Sequence, residues 1–344
     1  MSITYKDSGV NIAAADAAKK RMKALVDQTR TPGVIGGIGA FGGLFKAAFH
    51  EMSEPVLVAS ADGVGTKLKI AFAAGRHNTV GMDLVHHCAN DILVQGARSL
   101  FFLDYIALGH LVEDTVVSIV EGLSKGCQDA GCALLGGETA EMPDFYARSE
   151  YDLAGFIVGV VDKGRILDGS AVKPGDVLLG LASDGLHTNG YSLARKALFS
   201  AAGYQIDTVL DGVGETLADA LLRPHRCYAG SILPLVGEGM IHGMAHITGG
   251  GLVDNIPRSL PEGVGVSIDR HAWEVPSIFE AIRSAGDVPD AEMYRAFNMG
   301  VGMVLMVAPD AAGHVASQLA AAGETVFTIG DAKEGPRHVQ IEGV

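Results

Sequence analysis

Short apolar runs alternate with longer stretches of helical periodicity along much of this chain. Pro55-Val56-Leu57-Val58-Ala59-Ser60-Ala61 is apolar and β-branched, with the length of a buried strand. Runs at 100–107, 132–135 and 153–161 read as further strands, with helices over 77–96 and 112–130 between them. Residues 11–28, rich in Ala and Lys, read as an opening helix capped by Asn11 or Asp16. Its Lys19, Lys20, Arg21 and Lys23 then form a solvated face. The polar, turn-rich stretch Asp162–Asp176 divides the chain into two units, 1–168 and 169–344. The second unit offers strands at 177–182, 263–268, 303–308, 325–330 and 338–342, with helices near 191–202 and 310–322. Helices between strands in the first unit, and hairpin-like stretches in the second, predict α/β and α+β domains with mixed sheets. The first unit has too few strands to close a barrel alone, so its sheet edge calls for a partner.

Composition narrows the class. With 344 residues, 48% hydrophobic and 19% charged, the chain can bury a sizeable core. A net charge of −14 argues against nucleic acid or an anionic membrane as partner, so an anionic ligand has to be held locally. The N-terminus has no apolar signal core and no apolar run reaches membrane-spanning length, which predicts a cytoplasmic protein. Cys88, Cys127, Cys132 and Cys227 form no C-x-x-C pair and read as free thiols.

The chemistry clusters after the first strand. In Asp62-Gly63-Val64-Gly65-Thr66-Lys67 the carboxylate suits Mg²⁺, while glycine amides, a hydroxyl and a lysine suit phosphate oxygens. A strand-to-helix turn with an Asp cap fits the hexapeptide equally well. On the 77–96 helix, Asp83, His87, Asn90 and Asp91 fall at i, i+4, i+7 and i+8 and share one face, more polarity than packing needs. Gly136-Gly137-Glu138-Thr139 places another carboxylate after a glycine turn. The chain contains no G-x-x-x-x-G-K-[ST], so ATP would be held through metal-bridged phosphates on Asp62, Asp91 and Glu138. Gly37-Ile38-Gly39-Ala40-Phe41-Gly42 matches G-x-G-x-x-G, but Pro32 and Gly33 leave no strand ahead of it, and the nicotinamide reading is rejected. His86 and His87 have no zinc spacing and read as a helix surface pair.

Taken together these blocks carry a resemblance. Tyr5–Val10, the glycine-rich loop through Gly43, Asp62–Lys67, Asn90-Asp91, Phe101–Tyr105, Gly136–Met142, Asn189–Ser192, His246–Gly251 and Phe297–Met303 follow one order nearly end to end. In that order the chain resembles the phosphoribosylformylglycinamidine cyclo-ligase (aminoimidazole ribonucleotide synthetase) family of purine biosynthesis. His86, His87 and Asp184 look like local variation. The resemblance implies an α/β N-terminal domain whose strands join those of a second subunit, and a C-terminal α+β domain. It also implies ring closure of formylglycinamidine ribonucleotide with ATP and Mg²⁺, giving aminoimidazole ribonucleotide, ADP and phosphate.

Carried over residue by residue, the resemblance implies Asp62 and Asp91 as magnesium ligands, with Asn90 and Glu138 as additions. Lys67 and Lys23 would meet nucleotide phosphates, beside Gly63, Gly65 and Thr66. Gly249, Gly250 and Gly251 would present amides to the substrate phosphate, and Asn298 would line the same cleft. His246 would act at the ring-closing step as a proton acceptor, with a hydrogen-bonded core histidine as the competing reading. Two rival functions remain. Another ATP-using enzyme of the superfamily, selenophosphate synthetase-like or thiamine-phosphate kinase-like, would reuse the same elements. A selenophosphate synthetase would carry a reactive Cys near the N-terminus, whereas the first here is Cys88. A catalytically silent nucleotide-binding subunit would be expected to lose carboxylates, yet Asp62, Asp91 and Glu138 are all present.

Overall fold

A computed structural model describes residues 12–37, 39 and 41–344. The expected cap Asn11, the Tyr5–Val10 block, and Ile38 and Ala40 of the glycine-rich loop lie outside the described residues. Helix α1 (Ile12–Asp27) precedes a two-stranded ribbon, β1 (Val34–Ile35) with β2 (Leu44–Phe45). Then come β3 (Pro55–Gly63), α2 (Leu68–Ala74), α3 (Val80–Leu93), β4 (Arg98–Leu108), α4 (Glu113–Asp129), β5 (Ala133–Glu141) and β6 (Tyr151–Asp162). The four long strands form one sheet in the order β3-β6-β4-β5, in which only the β4–β5 pair is parallel. One face packs on α3: Gly155 of β6 lies so close beneath Leu84 and Phe102 that a Cβ there would fall 2.2–3.0 Å from them. Among the described residues the other face is covered only in part: Phe45 of β2 packs on Phe101 of β4, while Leu57, Tyr105 and Phe156 are exposed.

That arrangement corrects two expectations. Strand β3 is an edge strand with no fully buried residue, because one face of its sheet is covered only in part. Gly136 to Thr139 do not follow a strand; they lie within β5, opposite Leu103 to Ile106. Gly137 is required there by contact, since a Cβ would sit 2.3 Å from Asp104 Oδ1.

Residues 177–342 build a second, six-stranded sheet from β7 (Val177–Ala182), β8 (Ile241–His246), β9 (Val264–Asp269), β10 (Val301–Val307), β11 (Val326–Glu334) and β12 (Val339–Glu342). Its order is β12-β9-β11-β7-β10-β8, antiparallel except for the β12–β9 edge. Strand β10 lies between β7 and β8 and every residue of it is buried, which matches its unbroken apolar run. The second sheet was legible only in part: β8 sits beside β10, yet its Ile241-His242-Gly243-Met244-Ala245-His246 gives no clean strand pattern. Both cores are apolar and close-packed, and α3 is buried on nearly all sides. Cys88, Cys127 and Cys132 are buried free thiols and Cys227 is partly buried. Among the described residues no helix is long and apolar enough to cross a membrane.

Candidate active site

Helix α3 lies between the two sheets, and its polar face does two different jobs. Asp83 and Asn90 are structural. Asp83 Oδ1 accepts from Lys67 Nζ at 2.8 Å and from the His225 amide at 2.7 Å. Asn90 donates through Nδ2 to Arg226 O and accepts from the Tyr228 amide, so it fastens the 225–228 segment to α3. Asn90 is fully buried and both ends of its amide are used, which removes it from the metal ligands expected of it.

Lys67 is the second correction. Its side chain is 0% exposed, and Nζ donates to Asp83 Oδ1, His187 O and Arg223 O. All three ammonium donors are occupied, so Lys67 ties the two sheets' loops together and is not presented to a nucleotide phosphate. Burial pulls the Lys67 ammonium down and pushes the Asp83 carboxyl up, each opposed by the other's charge. The close contacts around the ammonium favour the ionised pair.

The other half of the α3 face, His87 and Asp91, meets Asp62 of β3 and His246 at the end of β8. His87 Nε2 lies 2.8 Å from Asp62 Oδ2 and 4.0 Å from Asp91 Oδ2. His246 Nδ1 lies 2.9 Å from Asp91 Oδ1, while Ser60 Oγ donates to Asp91 Oδ2 at 3.0 Å. Behind them, His246 Nε2 faces His225 Nε2 at 2.9 Å. Thr188 Oγ1 bridges His225 Nδ1 at 3.3 Å and His87 Nδ1 at 2.6 Å. His187, at φ 60°, stacks on His225 with ring centroids 4.0 Å apart. One set of proton positions satisfies the whole chain. His87 donates to both Asp62 and Thr188, Thr188 donates to His225, His225 to His246, and His246 to Asp91.

The electrostatics agree with that assignment. Burial disfavours the charge on His87, but its hydrogen bond to Asp62 and the charge of Asp91 outweigh it, and its pKa is raised. Burial lowers His246 despite Asp91, and lowers His225 and His187 well below the ordinary range. For Asp62 and Asp91 burial is outweighed by the hydrogen bonds and charges of His87 and His246 respectively, so both carboxyls sit below their usual value. A stability prediction follows for the three neutral histidines. Unfolded histidine binds a proton near pH 6.5 where these native side chains do not, so stability is complete above that pH and falls as the pH drops through it. His87 works in the opposite sense, one group against three. Denaturant midpoints measured from pH 7.5 to 5.5 are expected to decrease steadily, and a flat profile would contradict the assignment.

The remaining expected residues are dispersed. Glu138 is exposed on β5, three strands from β3, and the spacing of sheet strands puts it roughly 14 Å from Asp62 within one chain. Lys23 is exposed on α1 and ion-pairs with Asp27. Gly63 donates its amide to Asp62 Oδ1 at 2.7 Å, and Thr66 Oγ1 meets Ser192 Oγ at 3.1 Å. Asn298 is buried and spans Ser183, Gly185 and Gly300, holding two loops together instead of lining an open cleft. Gly249 is exposed beside Asn189; Gly250 and Gly251 turn the chain with φ 98° and 60°. A Cβ on Gly251 would lie 2.0 Å from Tyr294 O, so this glycine is there for packing as well as for the turn.

Sequence reasoning missed His87, His187 and His225 as site members, and the surface reading of His86 and His87 is wrong. Both are only 4% exposed, and His86 Nδ1 meets His225 O at 2.6 Å. The available signal was the i, i+4, i+8 spacing of Asp83, His87 and Asp91. Beside the Asp91–His246 pair lies a cavity of about 480 Å³ lined by Val58, Ser60, Asp91, Gln95, His246 and Arg258 among others. For Mg²⁺ the oxygen donors of Asp62, Asp91 and Ser60 are of the right kind, and both carboxylates are partly exposed at 41% and 30%. Glu138 of the same chain stands apart from these oxygens, across two intervening strands.

Known proteins bear on the same elements. The AIR synthase related protein N-terminal domain matches residues 46–161, and the corresponding C-terminal domain matches 173–341. The chain is 52% identical over 331 residues to the phosphoribosylformylglycinamidine cyclo-ligase of Desulfitobacterium hafniense, covering 96% of this chain and 97% of that one. It is 53% identical over 338 residues to the cyclo-ligase of Anaeromyxobacter dehalogenans, covering 97% of each. Among solved structures, the thiamine-monophosphate kinase of Stenotrophomonas maltophilia superposes with TM-score 0.69 at 18% identity, covering 95% of each chain. E. coli HypE gives 0.67 at 17%, covering 96% of this chain and 94% of that one. These two likenesses speak to the fold alone. With both domains matched in order and half of all positions shared over nearly its whole length, the chain belongs to the phosphoribosylformylglycinamidine cyclo-ligase family.

Proposed function

We infer that the chain closes the imidazole ring of aminoimidazole ribonucleotide, taking formylglycinamidine ribonucleotide and ATP and releasing ADP and phosphate. The observation that carries this reading is end-to-end identity of 52–53% with cyclo-ligases. The chemistry is balanced by two transfers. The formamide oxygen takes the terminal phosphoryl group of ATP, which leaves as ADP. The formamide N–H proton is lost as the iminophosphate forms; an amidine nitrogen then attacks the activated carbon and loses its proton, phosphate departs with the oxygen, and a proton moves from the ring CH₂ to the exocyclic imine nitrogen to give the aminoimidazole.

Each step asks something of the residues described. Asp62, Asp91 and Ser60 offer oxygens that would hold Mg²⁺. Bound there, the ion would neutralise charge on the transferred phosphoryl group. Asp91 borders the cavity and is oriented by Ser60 and His246, so it is placed to receive a proton as the ring closes. Arg258 lines the same cavity and supplies a cation suited to a phosphate. The partly enclosed cavity limits access of water to an iminophosphate. The test is ATP turnover with and without formylglycinamidine ribonucleotide, with the product identified. Turnover on thiamine phosphate and none on the amidine would overturn the reading in favour of the kinase-like rival. Asp62→Asn is expected to lower turnover in Mg²⁺ by about 10–100-fold with an unchanged cooperative unfolding transition. Wild-type turnover by this variant would remove Asp62 from the site.

The active form proposed is a homodimer through the N-terminal sheet. Its partly covered face exposes Leu57 at 63%, Phe156 at 43% and Tyr105 at 38%, apolar surface that a partner sheet would cover. Glu138, at the edge of that sheet, would then face a second chain. Sedimentation equilibrium is expected to give twice the chain mass at micromolar concentration, and Leu57→Lys with Phe156→Lys to give a monomer. An active wild-type monomer would exclude the dimer. The domain boundary is kept within 162–176, between the two sheets, with units 1–168 and 169–344. Free buried thiols fit the reducing cytoplasm, where we place the enzyme.

A further inference from the structure

Magnesium takes oxygen donors, yet the groups that converge most closely here include two imidazoles. His87 Nε2, an Asp91 carboxylate oxygen and His246 Nδ1 all lie within 4.8 Å of one another. With ligands about 2.1 Å from a tetrahedral ion, neighbouring donors stand roughly 3.4 Å apart, so modest side-chain movement closes the triangle. His246 Nδ1 and Asp91 Oδ1, at 2.9 Å, are already within that spacing. We propose that His87, Asp91 and His246 form a binding site for a borderline transition-metal dication, such as Zn²⁺, distinct in donor chemistry from the magnesium of phosphoryl transfer.

What sets this cluster apart from a chance meeting of polar groups is its outer support. A metal-bound histidine holds its other ring nitrogen in a hydrogen bond, which fixes the ring and the coordinating atom. Both histidines do so: His87 Nδ1 is 2.6 Å from Thr188 Oγ1, and His246 Nε2 is 2.9 Å from His225 Nε2. The carboxylate is supported in the same way, since Ser60 Oγ donates to Asp91 Oδ2. Asp62 lies 2.8 Å from His87 Nε2, and the proton they share would leave as that nitrogen takes a metal. The histidines are 4% and 6% exposed, so the donors come from packed elements: α3, and the end of β8 beside the fully buried β10. Two imidazoles and a carboxylate suit Zn²⁺, Fe²⁺ or Co²⁺, whereas Mg²⁺ prefers oxygen throughout. Because Asp91 belongs to both sets, a bound transition metal would inhibit magnesium-dependent turnover.

This inference does not depend on which phosphoryl acceptor the enzyme uses, and its test reads binding. Metal-free full-length protein is titrated with Zn²⁺ in millimolar Mg²⁺ against a chromogenic chelator, and the loaded protein is examined by zinc X-ray absorption. One Zn²⁺ per chain is expected, with two imidazoles in the first shell. His87→Gln is expected to weaken binding by more than about 100-fold, and His225→Gln by about 10–100-fold. The wild-type spectrum needs no variant to fold. An oxygen-only shell, no uptake in the presence of Mg²⁺, or unchanged affinity in a folded His87→Gln would overturn the proposal and leave the cluster a hydrogen-bond network.

Discussion

Replacing His246 with alanine is expected to lower turnover by about 10²–10⁴-fold. The structure gives this effect a more specific cause than a free base would have. Both ring nitrogens of His246 are engaged, one with Asp91 and one with His225. The imidazole therefore acts through Asp91: it holds the carboxylate toward the cavity and passes charge between Asp91 and the histidines behind. Alanine also leaves His225 without its partner, which costs about 1–3 kcal/mol of stability. His246→Gln separates the two contributions, since its amide restores a hydrogen bond but carries no titratable proton. Glutamine should recover most of the stability and little of the rate. Burial keeps His246 neutral to lower pH than an ordinary histidine, so the acid limb of the wild-type rate profile should fall below pH 6.5. A glutamine variant with wild-type kcat would refute the role, as would activity lost only in proportion to folded protein.

The second large effect is on folding. Lys67→Met is expected to destabilise the chain by about 3–5 kcal/mol, because it leaves Asp83 charged and uncompensated in a buried site. The variant also frees two carbonyls, His187 O and Arg223 O, that the ammonium now satisfies. Lys67→Met with Asp83→Leu should recover part of the loss, since removing both charges is cheaper than stranding one. Urea unfolding followed by circular dichroism measures all three proteins. A loss below about 1 kcal/mol in Lys67→Met, with turnover abolished, would return Lys67 to the phosphate contacts expected from sequence.

How far the sequence could be read depended on whether the signal was local. Strand β10 and helix α4 were legible because an unbroken apolar run and a 3.6-residue period are properties of the segment itself. Asp62, Asp91 and His246 were singled out by residue type and motif, and the structure places them around His87. Lys67 and Asn90 were misread for a common reason: a polar side chain beside a glycine turn or next to a carboxylate looks the same whether it faces ligand or interior. Only the partners decide, and these partners, Arg223 O and Arg226 O, lie 156 and 136 residues away. His225 gave no signal at all, since nothing in Pro224-His225-Arg226 marks a site. Glu138 was misplaced by taking a glycine pair as a turn, when the pair lies within a strand and Gly137 relieves crowding against Asp104 there.

The long reach of these bonds has a consequence for the chain as it leaves the ribosome. When the first sheet has been synthesised through Asp162, Lys67 and Asp83 have each other, but two of the three oxygens that hold the ammonium have not yet been made. Asp91 waits longer still, since His246 follows it by 155 residues. A nascent first half leaves the polar face of α3 to water until the second half arrives and replaces that water with its own partners. Loop closure over such spans is slow compared with local helix formation. Activity therefore appears late: a chain truncated before β8 lacks His246 and a finished site, and one truncated before Arg223 also lacks the full clamp on Lys67.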